Sequence, residues 1–267
     1  MLNLAPLELQ KIWGYERWIA STHKNAAQAD FTAAVGGDFP LLVKVIQADA
    51  TLSVQLHPDD EAAALLEGAG SVGKTECWYI LDADEGAALV CGLKAAYSRE
   101  QLADAVRNSR LEDFLNSVPV KKGDFVFIPA GTVHAIGGGL RILEVQQSSD
   151  ITYRLYDWGR PRELHVEKAL GALKDGSPHI EQPFSGSFTC PYFSLEQKIC
   201  AEETLLSVPD GAGAAARQLL FVIEGCGSIT SLTEKQTIPL NSEQLIAAAP
   251  GEKLKIVGSA QIMVIRC

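Results

Sequence analysis

Short apolar runs separated by turns recur along the whole chain, and this pattern most constrains its fold. Runs that alternate apolar and polar residues, or that are continuously apolar, are typical of half-buried or buried β-strands. Glycine-containing turns at residues 122–124 and 137–139 interrupt them. Many short strands joined by such turns favour a barrel or a two-layer sandwich. The clearest runs cover residues 41–46, 52–57, 77–81, 87–91, 125–129, 140–145, 193–197, 218–223 and 262–265.

Helical signals are few. Residues 59–66 begin with acidic side chains and continue with alanine and leucine, as the start of a helix prefers. Ser98 and Gln101 have the spacing of a capping box, in which the two side chains satisfy the first backbone N–H groups of a helix. A third short helix is predicted within residues 163–173. The chain is therefore expected to be mainly β, with a short helical insertion near residues 98–117.

A change in composition predicts the domain organisation. Residues 174–187 are rich in glycine, serine, proline and polar side chains, as linkers are. We therefore predict a first domain of residues 1–175 and a smaller, β-barrel-like domain of residues 188–267. The second domain contains no motif from which a role can be inferred.

Charge and cysteine usage restrict the partners. The net charge of -10 repels nucleic acid and anionic membranes, so neither is expected as a partner. No apolar run approaches the ~20 residues needed to cross a bilayer. The first residues lack the pattern of a secretion signal, and the six cysteines contain no Cys-x-x-Cys pair. Free thiols and a cytoplasmic location are therefore expected.

Four side chains on or beside predicted strands can bind a metal ion. Gln55 and His57 lie two residues apart on one strand and so share one face. Glu76 begins another strand, and His134 follows a strand and a Pro-x-Gly corner. A lone strand histidine is more often a hydrogen-bonded structural residue, but this grouping favours a metal site. Two imidazoles with a carboxylate suit Zn²⁺ or another divalent transition metal.

Several separate segments resemble one known family. Residues 123–134 are similar to the second cupin motif, and residues 52–60 to the signature of type I mannose-6-phosphate isomerases. Residues 74–78 and 162–165 resemble the short bacterial form of that family, which lacks the inserted helical domain of the long form. The family's C-terminal signature is matched by His134, Ala135, Glu144, Ser149, Asp150 and Arg154, with one extra residue between His134 and Glu144.

The resemblance implies a fold and an activity. It implies a cupin-type β-barrel, or jelly roll, for the catalytic domain of residues 1–175. It implies a zinc-dependent aldose–ketose isomerase that interconverts mannose 6-phosphate and fructose 6-phosphate by proton transfer through an enediol. One Zn²⁺ per chain would be bound by Gln55, His57, Glu76 and His134.

The same resemblance assigns further site residues. Arg154, Glu144 and Lys74 are expected to be catalytic, and Ser53 and Arg160 to bind the substrate phosphate. Arginines here would supply the local positive charge that the acidic chain lacks overall. Each residue also has an ordinary explanation, such as a surface ion pair for Arg154, a partner for a nearby arginine for Glu144, or a solvated side chain for Lys74.

Alternative functions remain open at this point. A cupin can bind a sugar phosphate without turning it over, or can isomerise another sugar, because the fold does not determine the chemistry. An iron dioxygenase is disfavoured, because such sites use more histidines than this Gln/Glu-rich set contains. The oligomeric state, monomer or dimer, is also undetermined.

Overall fold

A computed structural model describes residues 1–174 and 176–267 of the chain. Asp175, the last residue of the first predicted domain, lies outside the described residues. In chain order the described strands are β1 Leu2–Leu4, β2 Leu7–Lys11, β3 Gly14–Ala20, β4 Leu41–Ala48, β5 Val54–Leu56, β6 Glu76–Ala83, β7 Ala88–Leu93, β8 Leu115–Pro119, β9 Phe125–Ile128, β10 His134–Ile136, β11 Leu140–Gln147, β12 Tyr153–Tyr156, β13 His179–Glu181, β14 Ser187–Thr189, β15 Ser194–Cys200, β16 Glu203–Ser207, β17 Gln218–Ser231, β18 Thr237–Leu240, β19 Leu245–Ala248 and β20 Lys253–Arg266.

The described helices are short. They are α1 Ala29–Val35, α2 Asp60–Glu67, α3 Arg99–Arg107 and α4 Val166–Ala172, with 3₁₀ turns at Leu111–Phe114 and Ala214–Ala216. The predicted capping box of α3 is confirmed, because Ser98 Oγ accepts from Gln101 N and Gln101 Oε1 accepts from Ser98 N. Asp59 caps α2 by accepting from Ala62 N. Helix α1 was not predicted. Gln28, the residue at its N-cap position, makes no capping hydrogen bond through its side chain.

The chain divides into two compact units. One consists of Met1–Glu8, Arg17–Val45 and Ser185–Cys267, and the other of Leu9–Glu16 and Ile46–Phe184. Both units are discontinuous along the chain, whereas the sequence predicted one division between residues 175 and 188. The assignment of catalysis to residues 1–175 stays a prediction.

The unit that contains the C-terminus is built on one sheet of eight strands. The main path of the sheet is β1–β19–β17–β20–β15–β14, with β16 paired to β20 and β18 to β17. Its core is aliphatic and includes Leu220, Val222, Ile246, Ile256 and Ile262, all buried. The predicted β character of this part of the chain is therefore confirmed.

The other unit contains two layers of strands. One is a sheet of five strands in the order β12–β5–β10–β7–β8. The second sheet has the order β13–β9–β6–β11–β4–β3–β2, and β2, β3 and β4 each include residues that are assigned to the first unit. Apolar side chains from both sheets, including Trp78, Ile80, Leu89 and Ile136, form one buried core. This is the two-layer arrangement that the turn-rich strand pattern predicted.

The five-stranded sheet buries a different core on its other face. Val54 and Leu56 of β5, Ala135 of β10 and Leu155 of β12 pack in one cluster with residues of helices α3 and α4. Successive side chains of a strand point to opposite faces. The residues between these apolar ones therefore lie on the face opposite the helices, toward the other sheet. The helical cover thus determines which polar residues of β5, β10 and β12 face inward.

Within the described part of the chain, none of the helices is both long and apolar enough to cross a membrane. All six cysteines are free thiols.

The turn between β10 and β11 yields a stability test. A Cβ added at Gly137 would lie 2.1 Å from Ala88 O, so Gly137→Ala should destabilise the fold by about 1–3 kcal/mol. Gly171 on α4 is a matched control, because an added Cβ there meets no heavy atom within 4 Å. Gly171→Ala should stabilise the fold by about 0.5–1 kcal/mol, since alanine restricts the unfolded chain. Urea unfolding measures both changes, and equal effects at the two positions would contradict the steric explanation.

Candidate metal centre

Three predicted ligands meet in the buried interior of the two-layer unit. His57 follows β5, Glu76 begins β6 and His134 begins β10, and each is 1% exposed. His57 Nε2 lies 3.5 Å from Glu76 Oε2, and His134 Nε2 lies 3.3 Å from Glu76 Oε1. One ligand atom from each residue fits within 4.8 Å of the other two. The structure therefore brings together two imidazoles and one carboxylate from three strands that are distant in sequence.

Backbone carbonyls orient both imidazole rings. His57 Nδ1 lies 2.8 Å from Ile151 O, and His134 Nδ1 lies 2.9 Å from Thr132 O. A carbonyl oxygen can only accept a hydrogen bond, so Nδ1 carries the proton and Nε2 of the neutral ring has a lone pair. Burial lowers the pKa of His134 to about 4, so this ring is neutral at pH 7. This tautomer and orientation are those of a metal-binding histidine.

The donor set fits a divalent metal ion. His134 Nε2 is buried and has no hydrogen-bond partner among the described residues, although a buried polar atom normally has one. That lone pair lies near the Glu76 carboxylate, where a positive ion would stabilise both. Nitrogen and oxygen donors in this number are the usual ligands of Zn²⁺. The three residues therefore match a metal site by chemistry as well as by proximity.

Lys74 lies in the same cluster. It is 5% exposed, and its Nζ lies 3.0 Å from His57 Nε2 and 2.5 Å from Glu76 Oε2. The same atoms that are predicted to hold the metal thus accept hydrogen bonds from an ammonium group. The cluster consequently favours positive charge, and a predicted catalytic residue is in direct contact with two predicted ligands.

Gln55 and Ser53 lie beside this cluster along β5. Gln55 is directly opposite His134 in the antiparallel pairing of β5 with β10. Residues in such pairs project from the same face, so Gln55 faces the same interior as His134. Ser53 is buried, and its Oγ donates to Gln55 Oε1 at 3.0 Å. Gln55 is thus adjacent to the three clustered ligands, and its role as the fourth stays a prediction.

Glu144 is also buried beside the cluster. It lies opposite Trp78 in the pairing of β11 with β6, and Trp78 Nε1 donates to Glu144 Oε2 at 3.0 Å. The Trp78 ring in turn meets His134 edge-on, with the ring centroids 5.5 Å apart. The carboxylate therefore shares a face with Glu76 and is held by an indole that contacts a predicted ligand.

Arg154 belongs to a second, positively charged group. It is paired with Gln55 in the register of β12 and β5, but its Nη1 donates to Glu163 O at 2.8 Å. Its Nε is buried without a hydrogen-bond partner among the described residues. Burial lowers the pKa of Arg154, and the nearby guanidinium groups of Arg162 and Arg160 lower it further. Arg154 therefore keeps one buried N–H without a partner among the described residues and lies in the field of two more arginines.

The buried carboxylate of Asp157 holds those two arginines. Arg160 donates from Nε and Nη2 to Asp157 Oδ1, and Arg162 donates from Nε to Oδ2 and from Nη2 to Oδ1. Arg160 Nη2 also donates to Thr51 O at 2.8 Å, two residues before Ser53. Arg160 thus contacts the backbone just before Ser53, while the role of both residues in phosphate binding stays a prediction.

Two residues near the site were not predicted. Trp78 lies in a matched segment, but its contact with Glu144 depends on strand register. Asp157 is the one carboxylate of residues 154–162, which contain three arginines. This charge pattern could have identified Asp157 from the sequence as a partner of the arginines. A buried carboxylate among arginines predicts multiple charge-assisted hydrogen bonds.

Comparison with known proteins gives a consistent result. The family model for the catalytic domain of phosphomannose isomerase type I matches residues 8–84. ManA, a mannose-6-phosphate isomerase of Bacillus subtilis, is 41% identical over 96% of this chain and 80% of that protein. A mannose-6-phosphate isomerase of Streptococcus mutans is 49% identical over 54% of the chain, and the match spans about half, 47%, of that relative.

Solved structures agree with the sequence matches. The crystal structure of the mannose 6-phosphate isomerase from Bacillus subtilis covers 99% of both chains with a TM-score of 0.85 and 28% identity. A zinc-bound mannose 6-phosphate isomerase has the same fold, with a TM-score of 0.75, 15% identity and coverage of 99% of this chain and 98% of that chain. The predicted cupin-type, mainly β fold is therefore confirmed.

The metal site yields a direct test. His134→Ala should lose bound metal, because it removes one of the clustered nitrogen donors, and metal content by mass spectrometry of the purified protein measures this. His179→Ala is a matched control, since His179 is exposed and paired with Glu181 on β13. Equal metal content in the two variants would contradict the proposed site.

Proposed function

The chain belongs to the type I mannose-6-phosphate isomerases, and from that premise we propose that it interconverts mannose 6-phosphate and fructose 6-phosphate with the aid of a bound Zn²⁺. The observation that carries the proposal is the buried cluster of His57, Glu76 and His134, with Lys74 in contact with it. A protein that only binds a sugar phosphate has no need for a metal-ligand set together with buried groups that can carry protons. One Zn²⁺ per chain, held by these three residues and Gln55, completes the proposal.

The reaction moves a proton between C2 and C1 of the open-chain sugar through an enediol. It requires a group that takes up and returns the proton and positive charge near the two oxygens. The bound ion would supply positive charge that stabilises a negative oxygen of the enediol. The chain's own residues must position the substrate, move the proton and complete the charge balance.

We assign the proton transfer to Glu144. Its carboxylate is 2% exposed and is held by Trp78, so it is oriented and shielded from water. Lys74 is assigned to a substrate oxygen, because its ammonium already lies among the metal-binding atoms and is a strong hydrogen-bond donor. The role of Glu144 rests on its contact with Trp78, and that of Lys74 on its contacts with His57 and Glu76.

We assign Arg154 to the negative charge that develops on the substrate. The guanidinium is always protonated and offers several donors in a fixed geometry. Its pairing with Gln55 on β5 supports a position beside the metal ligands. Its buried Nε without a hydrogen-bond partner in the described chain supports a role toward a ligand.

Phosphate binding is assigned to Ser53 and Arg160. Ser53 is buried, and its Oγ lies 3.0 Å from Gln55 Oε1, so this hydroxyl is next to the predicted metal ligands. The contact of Arg160 with Thr51 supports its position near Ser53. A cytoplasmic location, where sugar phosphates are metabolised, stays a prediction.

A coupled assay tests the reaction and the metal together. Fructose 6-phosphate formed from mannose 6-phosphate is followed with the purified protein, after removal of metal by a chelator, and after addition of Zn²⁺. Activity should disappear with the metal and return with zinc. A folded, metal-loaded protein without activity would instead favour a sugar-phosphate-binding cupin or an isomerase of another sugar, and a panel of aldose phosphates separates these two.

Arg154→Ala tests the charge-stabilising role. We expect kcat to fall by ~10²-fold or more while metal content is unchanged, which is typical of the loss of one charge-stabilising group. Arg107→Ala is the matched control, because Arg107 lies on the exposed face of α3 and pairs with Asp104. Full activity of Arg154→Ala would exclude the assigned role.

A further inference from the structure

The carboxylate of Asp157 has an unusual environment for a charged group. It is 1% exposed, and it accepts hydrogen bonds from Arg160 and from Arg162. Burial by itself would raise the pKa of Asp157, but the hydrogen bonds from Arg162 and Arg160 outweigh burial and lower it. The carboxylate is therefore negative at neutral pH and holds two cations at once.

Both arginines retain donors that the protein does not use. Arg160 uses Nε and Nη2 for Asp157 and for Thr51 O, and Arg162 uses Nε and Nη2 for Asp157. The Nη1 group of each makes no hydrogen bond within the described residues. Their side chains are 23% and 29% exposed, so solvent and ligands reach them. Two guanidinium groups anchored on one carboxylate thus each keep an Nη1 group that makes no hydrogen bond within the described residues.

The charges of this group do not balance. Asp157 holds the guanidinium groups of Arg160 and Arg162, and the charges of Arg154 and of exposed Glu163 lie nearby, so three cations are set against two carboxylates. A chain with a net charge of -10 thus has a local excess of positive charge here. Arg162 also borders an open cavity of about 350 Å³ that is lined by residues 10–13, of which Lys11 is paired with Glu16. The natural ligand of such a group is an anion with several acceptor oxygens.

We propose that Asp157 is a positioning residue, which holds Arg160 and Arg162 side by side so that the pair binds a phosphate dianion. Arg162 is thereby added to the phosphate-binding residues. Arginine pairs suit phosphate because the planar guanidinium matches two oxygens at once, but two unanchored arginines would repel each other and separate. The shared carboxylate removes that repulsion. The identity of the dianion as the 6-phosphate of the sugar rests on the proposed function, whereas the anion site does not.

The variant Asp157→Asn distinguishes a positioning role of Asp157 from a direct electrostatic effect of its negative charge on the anion. Loss of one negative charge beside the site would, by electrostatics alone, make anion binding tighter. Loss of the anchor for Arg162 Nε and of the shared charge would release the arginines and make anion binding weaker. We expect the dissociation constant of inorganic phosphate, measured by calorimetry on the metal-loaded protein at constant ionic strength, to rise about 10-fold.

Matched variants complete the experiment. Asp113→Asn is the control, because Asp113 also holds an arginine, Arg110, but on an exposed surface; its phosphate affinity should not change. Arg162→Ala should weaken phosphate binding by about 10-fold as well. In the isomerase assay, Asp157→Asn should raise KM for mannose 6-phosphate about 10-fold with kcat changed less than about twofold.

The outcomes distinguish this inference from the proposed function. Unchanged or tighter phosphate binding by a folded Asp157→Asn protein overturns it. Should that variant fail to fold, an unchanged affinity in Arg162→Ala overturns it instead, as does a wild-type protein that binds no phosphate at millimolar concentrations. A wild-type protein that binds phosphate through these residues but does not isomerise mannose 6-phosphate refutes the proposed function alone.

Discussion

The two-residue alternation of the five-stranded sheet is the constraint on which the site depends. Helices α3 and α4 cover one face of this sheet and bury Val54, Leu56 and Ala135 there. Because successive side chains of a strand point to opposite faces, the residues between these apolar ones must face the other sheet. A shift of β5 or β10 by one residue would move the predicted ligands Gln55 and His134 to the helical face and turn the apolar residues of that strand toward the other sheet. The apolar contacts with helices α3 and α4 thus determine which polar side chains of this sheet face the other sheet.

Electrostatics then explain why the interior accepts so many polar groups. Burial of a carboxylate and two imidazoles is unfavourable unless charge and hydrogen bonds compensate for the lost water. Backbone carbonyls satisfy both Nδ1 atoms, and the Lys74 ammonium satisfies Glu76 and His57. Around Asp157 the buried charge is negative, and this one carboxylate stabilises the guanidinium cations of Arg160 and Arg162. An acidic protein can in this way hold a buried cluster suited to a cation and, apart from it, a group of arginines.

The site residues named from the sequence do not all contact one another in the structure. Lys74 contacts two predicted metal ligands and Glu144 lies beside them, whereas Asp157 holds Arg160; Arg154 pairs with Gln55 and lies in the field of Arg160 and Arg162. The extra residue between His134 and Glu144 falls among glycines in the turn between β10 and β11, so the position of Glu144 is set by the pairing of β11 with β6. That pairing is not local in sequence, which is why the turn alone could not determine it.

The sequence by itself determined the mainly β architecture and the capping box of α3, and it named the three residues of the buried His57, Glu76 and His134 cluster, because periodicity, caps and donor chemistry are visible in the residues themselves. Only the tertiary structure decided which face each ligand occupies, which atoms fix the imidazole tautomers and which acid anchors the arginines. His57 Nδ1, for instance, meets a carbonyl 94 positions away. Contacts of this kind arise when distant strands pair and pack, so no local pattern specifies them.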